Sequence, residues 1–125
     1  MIRNYLTYSF AQNFQRGCSI LNLAPTVKER LLRSAEQMVE HFAISVQSED
    51  RGKELRLLGM SFAKLQECKE TLDQAKAWTY DLKGVFIVLD GRMRQLCRDA
   101  TVPGEPHATA EFSESWRGGA RRIRS

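Results

Sequence analysis

Val85-Phe86-Ile87-Val88-Leu89 is the longest unbroken apolar run in the chain, and its reading decides the fold. Its β-branched residues suit a strand. A strand needs a partner, and no second run of this kind occurs in the sequence. The run is therefore read as helix, buried on more than one face. Its surroundings agree: Leu82, Val85 or Phe86, Leu89, Met93 and Leu96 recur at helical spacing. Upstream, Trp78-Thr79-Tyr80-Asp81 fits either a tight turn or continuous helix.

Three more stripes lie toward the N-terminus. Between Pro25 and Pro103 there is no proline, and only Gly52, Gly59, Gly84 and Gly91 interrupt a stretch rich in Leu, Ala, Lys, Glu, Arg and Gln. Such composition favours helix. The third helix carries Leu55, Leu58, Phe62, Leu65, Leu72 and Ala75, after the turn Ser48-Glu49-Asp50-Arg51-Gly52, in which Asp50 or Ser48 supplies the cap. The second carries Val27, Leu31, Ala35, Met38, Phe42 and Val46, and Thr26-Val27-Lys28-Glu29 at its start fits a capping box. The first carries Leu6, Phe10, Phe14, Cys18 and Leu21, and ends at Asn22-Leu23-Ala24-Pro25.

Four amphipathic helices with short connections pack most simply as an antiparallel up-down-up-down four-helix bundle, an all-α fold over residues 1–100. Its interior of Leu, Phe and Met leaves no evident room for a cofactor, and none is expected. Past Ala100 the composition shifts to Pro, Gly, Ser, Thr and Glu. Residues 101–125 are read as a flexible tail with a basic tip, because they hold too little apolar area to offset the entropy of ordering.

The totals bound the function. The chain has 125 residues, 42% hydrophobic and 27% charged, which is one soluble domain's worth. No run approaches the ~18–20 apolar residues of a membrane span, and the opening Met1-Ile2-Arg3-Asn4-Tyr5 lacks the build of a signal peptide. Three cysteines do not make a disulfide framework, so a reducing cytoplasm is expected. A net charge of +4 permits a polyanionic partner without demanding one.

The second and third helices resemble a known family. Leu31-Leu32-Arg33-Ser34-Ala35-Glu36-Gln37-Met38-Val39 matches a Leu-x-x-x-Ala-x-x-apolar pattern, and the stretch from Arg51-Gly52-Lys53-Glu54-Leu55 through Phe62-Ala63-Lys64-Leu65-Gln66-Glu67-Cys68 matches a Glu-led helix with Ala and Glu at the right spacing. Asn4-Tyr5-Leu6-Thr7-Tyr8 looks like the same family's aromatic opening. These features are similar to the four-helix bundle proteins related to those encoded by intervening sequences in bacterial 23S rRNA genes. The likeness covers about residues 3–98. It departs at the end of the second helix, where His41-Phe42-Ala43-Ile44-Ser45-Val46-Gln47 replaces the family's Asn-apolar-Ala-Glu-Gly run. The resemblance implies a homo-oligomer, a pentameric ring among the known forms. A related bundle, the accessory variability determinant of diversity-generating retroelements, binds nucleic acid and a reverse transcriptase.

Signals for chemistry are sparse. His107 falls in the tail, and a catalytic base needs fixed geometry. His41 lies late in the second helix; its one nucleophile candidate is Cys97, late in the fourth. No Cys-x-x-Cys, His-x-x-x-His or Glu-x-x-His suits a metal, and Cys18, Cys68 and Cys97 do not share one height. No glycine-rich phosphate loop is present. Glu36, Glu40, Glu67 and Glu70, with Arg33, Lys64 and Lys69, read as solvated helix faces. The chain is therefore expected not to be an enzyme.

Cations say more, because the bundle gathers them. Arg3, Arg51, Lys53, Arg56, Arg92, Arg94 and Arg98 collect toward one end, against Glu49, Asp50, Glu54, Asp90 and Asp99. The tail leaves from the same end and carries Arg117, Arg121, Arg122 and Arg124, with Phe112 and Trp116 able to stack on bases. Arg51, Lys53, Arg56, Arg94, Arg98, Arg121, Arg122 and Arg124 are the candidate phosphate contacts to RNA or DNA. Apolar residues off the stripes, namely Ile20, Leu23, Leu32, Val39, Ile44, Leu57, Met60, Trp78, Tyr80, Ile87 and Val88, point to self-association. The expected function is a small oligomeric binding or scaffold protein for nucleic acid or ribonucleoprotein. The alternative is a protein-interaction adaptor, such as an accessory subunit of a reverse transcriptase.

Overall fold

The computed structural model describes residues 4–101. They form four helices, α1 Tyr5–Ser19, α2 Pro25–Gln47, α3 Arg51–Ala75 and α4 Tyr80–Thr101, with no strand among the described residues. Val85–Leu89 is helical. It is not buried on more than one face: Phe86 and Leu89 enter the core, while Ile87 and Val88 are exposed. Five residues span more than one turn at 3.6 residues per turn, so an apolar run of this length places some side chains outside.

α1 and α3 each pack against α2 and α4. Early residues of α2 meet late residues of α3. Ser34 Oγ donates to Glu67 Oε1 at 3.2 Å, and Ser61 Oγ donates to the Met38 carbonyl at 2.7 Å. α4 meets α1 in the same reversed order, with the Phe14 and Phe86 rings 6.0 Å apart and Arg92 Nε donating to Thr7 Oγ1 at 2.8 Å. It also meets α3 this way: Gln66 Nε2 donates to Asp90 Oδ1 at 2.8 Å, and Arg94 lies over the Phe62 ring.

The core follows the predicted stripes in α2, α3 and α4. Leu31, Ala35, Met38, Phe42 and Val46, then Leu58, Phe62, Leu65 and Leu72, then Leu82, Phe86, Leu89 and Met93 are buried. The sides differ at the ends: Ala75 is exposed and Cys97, not Leu96, closes the α4 stripe. α1 departs further. Its buried face is Thr7, Ala11, Phe14 and Cys18, and Leu6 is exposed. The cause is phase. Each four-residue step overshoots a turn by about 40°, so three steps from Cys18 back to Leu6 accumulate about 120°. The path from Cys18 to Thr7 loses only about 20°.

Helix ends explain the connections. The expected capping box at Thr26 is not formed: Pro25 begins α2, Ala24 precedes it, and no side chain caps it. Proline's fixed φ and missing N–H suit the first helical position, and they start the helix one residue ahead of Thr26. Glu29 pairs with Arg33 at 3.4 Å instead. Asp50 does cap α3, its Oδ1 accepting from Gly52 N at 2.9 Å and Lys53 N at 3.4 Å. α3 ends on Lys76 in the left-handed region, φ 53°, with Ala77 N donating to the Leu72 carbonyl at 3.0 Å. The chain does break between the helices, but at residues 76–79: Tyr80 and Asp81 already belong to α4, and Thr79 Oγ1 accepts from Leu82 N at 3.1 Å to open it. Trp78 closes this corner, edge-on to Phe86 at 5.2 Å, with its indole N–H donating to Asp73 at 2.6 Å. That donor and the Lys69 ammonium hold the Asp73 carboxyl below its usual range.

Candidate nucleic-acid interface

Arg51, Lys53 and Arg56 occupy the first two turns of α3, and all three are exposed. Cations there face the positive end of the helix dipole, an arrangement that disfavours them by a few tenths of a kcal/mol each. Asp50 and Glu54 moderate it locally; the Asp50 carboxylate is committed to the backbone as a cap.

Arg94 brings α4 to the same place. Its guanidinium lies 4.9 Å from the centre of the Phe62 ring, and its Nε donates to Asp90 Oδ2 at 2.9 Å. The C-terminal half of α4 therefore lies against the N-terminal half of α3. Arg98 stands one turn beyond Arg94, about 6 Å along the axis, and Arg56 stands about 9 Å before Phe62. Arg98 Nη2 donates to Gln95 Oε1 at 2.7 Å, and Gln95 Nε2 donates to Asp99 at 2.9 Å. Asp90, mostly covered, accepts from Gln66 as well as Arg94. Asp50, Asp90 and Asp99 are thus each held by a neighbouring donor.

Arg92 belongs elsewhere. It is half-buried, bonded to the buried Thr7 hydroxyl and 6.0 Å from the Phe10 ring. It is a strut between α1 and α4. Sequence periodicity had no means of finding it, since Thr7 is polar and lies off the apolar stripe. Arg3, Phe112, Trp116, His107, Arg117, Arg121, Arg122 and Arg124 lie outside the described residues, as does the tail assignment from residue 102 onward.

The thiols have the wrong character for nucleophiles. Cys18, Cys68 and Cys97 are free and buried. Burial pushes the Cys18 and Cys97 thiols up to about 12, in Cys97 against a small lowering from Arg98 and Arg94. Cys68 is raised further, by burial first and then by its neighbour Cys18. A reactive cysteine needs the opposite shift. His41 is half-buried on α2. Among the described residues no three His, Cys, Asp or Glu side chains gather as a metal site, and no helix is long and apolar enough to cross a membrane. Comparison with protein-family models, with curated proteins and with solved structures finds no match to this chain.

Proposed function

We propose that this chain is a non-enzymatic, self-associating cytoplasmic binding protein, related to the rRNA intervening-sequence bundles, that engages nucleic acid through one end of an up-down-up-down bundle. The observation carrying this proposal is the exposed set Arg51, Lys53 and Arg56 on α3 beside Arg94 and Arg98 on α4. Cations at the start of α3 face the unfavourable end of its dipole. Each would neutralise a phosphate and release counterions, and none would read a base. The reversed order of contacts between neighbouring helices supports the topology, and three free buried thiols suit a reducing compartment.

The test is fluorescence anisotropy with labelled single-stranded and duplex oligonucleotides at rising salt. Three to five phosphate contacts predict an affinity loss of roughly 40- to 500-fold on duplex DNA between about 50 and 200 mM salt. The double reversal Arg94→Glu/Arg98→Glu should flatten that slope by about two contacts. An affinity indifferent to salt would overturn the proposal.

A further inference from the structure

The exposed cations of α3 and α4 are not held alike. Arg94 is fixed from two directions. Its guanidinium lies over the Phe62 ring at 4.9 Å, inside the range of a cation–π contact. Its Nε donates to Asp90 Oδ2 at 2.9 Å. The other oxygen of that carboxylate, Oδ1, accepts from Gln66 Nε2 on α3 at 2.8 Å, so Asp90 is itself tied across the helix pair. The parts that hold Arg94 are sheltered. Phe62 is buried, Gln66 is half-buried, and the Asp90 side chain is only 18% exposed, against 50% for Arg94. An exposed Asp–Arg pair one helical turn apart contributes little on its own. Here the ring beneath and the amide behind remove the side-chain freedom that makes such pairs weak.

The bond to Asp90 uses only the Nε–H. The remaining donors of Arg94, on Nη1 and Nη2, have no acceptor among the described residues. They form a planar fork whose spacing matches two oxygens on one phosphorus. Arg56 is the contrast. It is exposed on α3 and makes no hydrogen bond or ion pair among the described residues. A loose arginine gives up rotamer freedom when it grips an anion, a loss of about 2- to 12-fold in affinity for each side chain immobilised. Arg94 has already given up that freedom.

We propose that Arg94 is the anchor of the interface, gripping one backbone phosphate of a nucleic acid with both Nη groups, and that Asp90 and Gln66 are positioning residues that hold it ready. This rests on the nucleic-acid reading above and makes the cations unequal within it. Asp90 gives the proposal a distinctive sign. A carboxylate beside a phosphate site repels the anion, so by charge alone its removal tightens binding. As a tether, its removal loosens binding.

Anisotropy with a labelled duplex DNA oligonucleotide, at about 100 mM salt and then across a salt series, tests this. Asp90→Ala should weaken binding by about 2- to 12-fold although it makes the chain more positive. Gln66→Ala leaves the charge unchanged and should weaken binding by less. Arg94→Lys keeps the charge but not the fork, and should lose about the same factor as Asp90→Ala with the salt slope unchanged, whereas Arg56→Lys should stay within about twofold of the parent. Urea midpoints confirm that each variant is folded. A wild-type chain whose affinity ignores salt would overturn the nucleic-acid reading and this anchor together. Salt-dependent wild-type binding that tightens in Asp90→Ala, or that treats Arg94→Lys and Arg56→Lys alike, would overturn the anchor and leave the nucleic-acid reading standing.

Discussion

Two glycine-to-alanine substitutions separate what the helix prefers from what its neighbours allow. At Gly91 the added methyl enters open space, so Gly91→Ala should stabilise the single chain by about 0.5–1 kcal/mol through helix propensity and a less flexible unfolded state. For a domain of this size that is a rise in Tm of roughly 2–5 °C. Gly17→Ala receives the same gain and meets an obstacle. Its Cβ would lie 2.8 Å from Leu82 Cδ1, and Leu82 is buried at 4% exposure. An ordinary carbon contact is about 3.5–4.0 Å, so Leu82 must retreat by roughly an ångström within a packed core. Overpacking of that kind costs about 1–3 kcal/mol, which leaves Gly17→Ala neutral to about 2 kcal/mol destabilised. Urea unfolding followed by far-ultraviolet circular dichroism near 1 µM measures both. Equal shifts of the same sign would refute the reasoning. So would a Gly91→Ala variant less stable than the parent at that dilution.

Other outcomes follow from the helix ends and the thiols. Asp50→Ala should cost about 1 kcal/mol, since two backbone N–H groups lose their acceptor, whereas Thr26→Ala should be nearly silent because that hydroxyl caps nothing; a comparison of urea midpoints checks both. Lys76→Gly should stabilise by about 1 kcal/mol, because Lys76 holds φ 53° at the end of α3, and an unchanged or lowered melting temperature would contradict this. Alkali should destabilise the fold. Thiols in an unfolded chain titrate near 8.5, while Cys18 and Cys97 hold their protons up to about 12. Folded pKa values raised in this way leave stability intact below about 8.5 and remove it as the pH climbs toward the folded values, by about 1.4 kcal/mol per pH unit per thiol. The urea midpoint should therefore fall between pH 8 and pH 10, and Cys97→Ala should remove about a third of the fall.

Residue spacing was enough to find the four helices and most of their buried faces. Leu31 to Val46 and Leu58 to Leu72 mix steps of three and four, whose opposite errors partly cancel around the helical turn. Leu6 to Cys18 steps by four throughout, and the accumulated error turned Leu6 outward while Thr7 took its place. Apolarity alone cannot report that exchange, because Thr7 is retained in the core by a hydrogen bond from a residue 85 positions away. The capping box at Thr26 matched a pattern, but Pro25 had already fixed where α2 begins. The candidate cations were legible as types and heights. Their surroundings were not: the Phe62 ring beneath Arg94, and the Gln66 amide that shares Asp90 with it, are set by packing between α3 and α4. Gly84 and Gly91 were visible as breaks in a helical composition. Only the empty space at their Cβ positions distinguishes them from Gly17.

The buried sulfurs have a use beyond filling space. One sits on α1, one on α3 and one on α4, each shut off from solvent. A trapping reagent can reach each of them only when its own helix lifts or the whole chain opens. Comparing how fast Cys18, Cys68 and Cys97 are captured in native buffer would time the peeling of three rods separately, and would show which one lets go first.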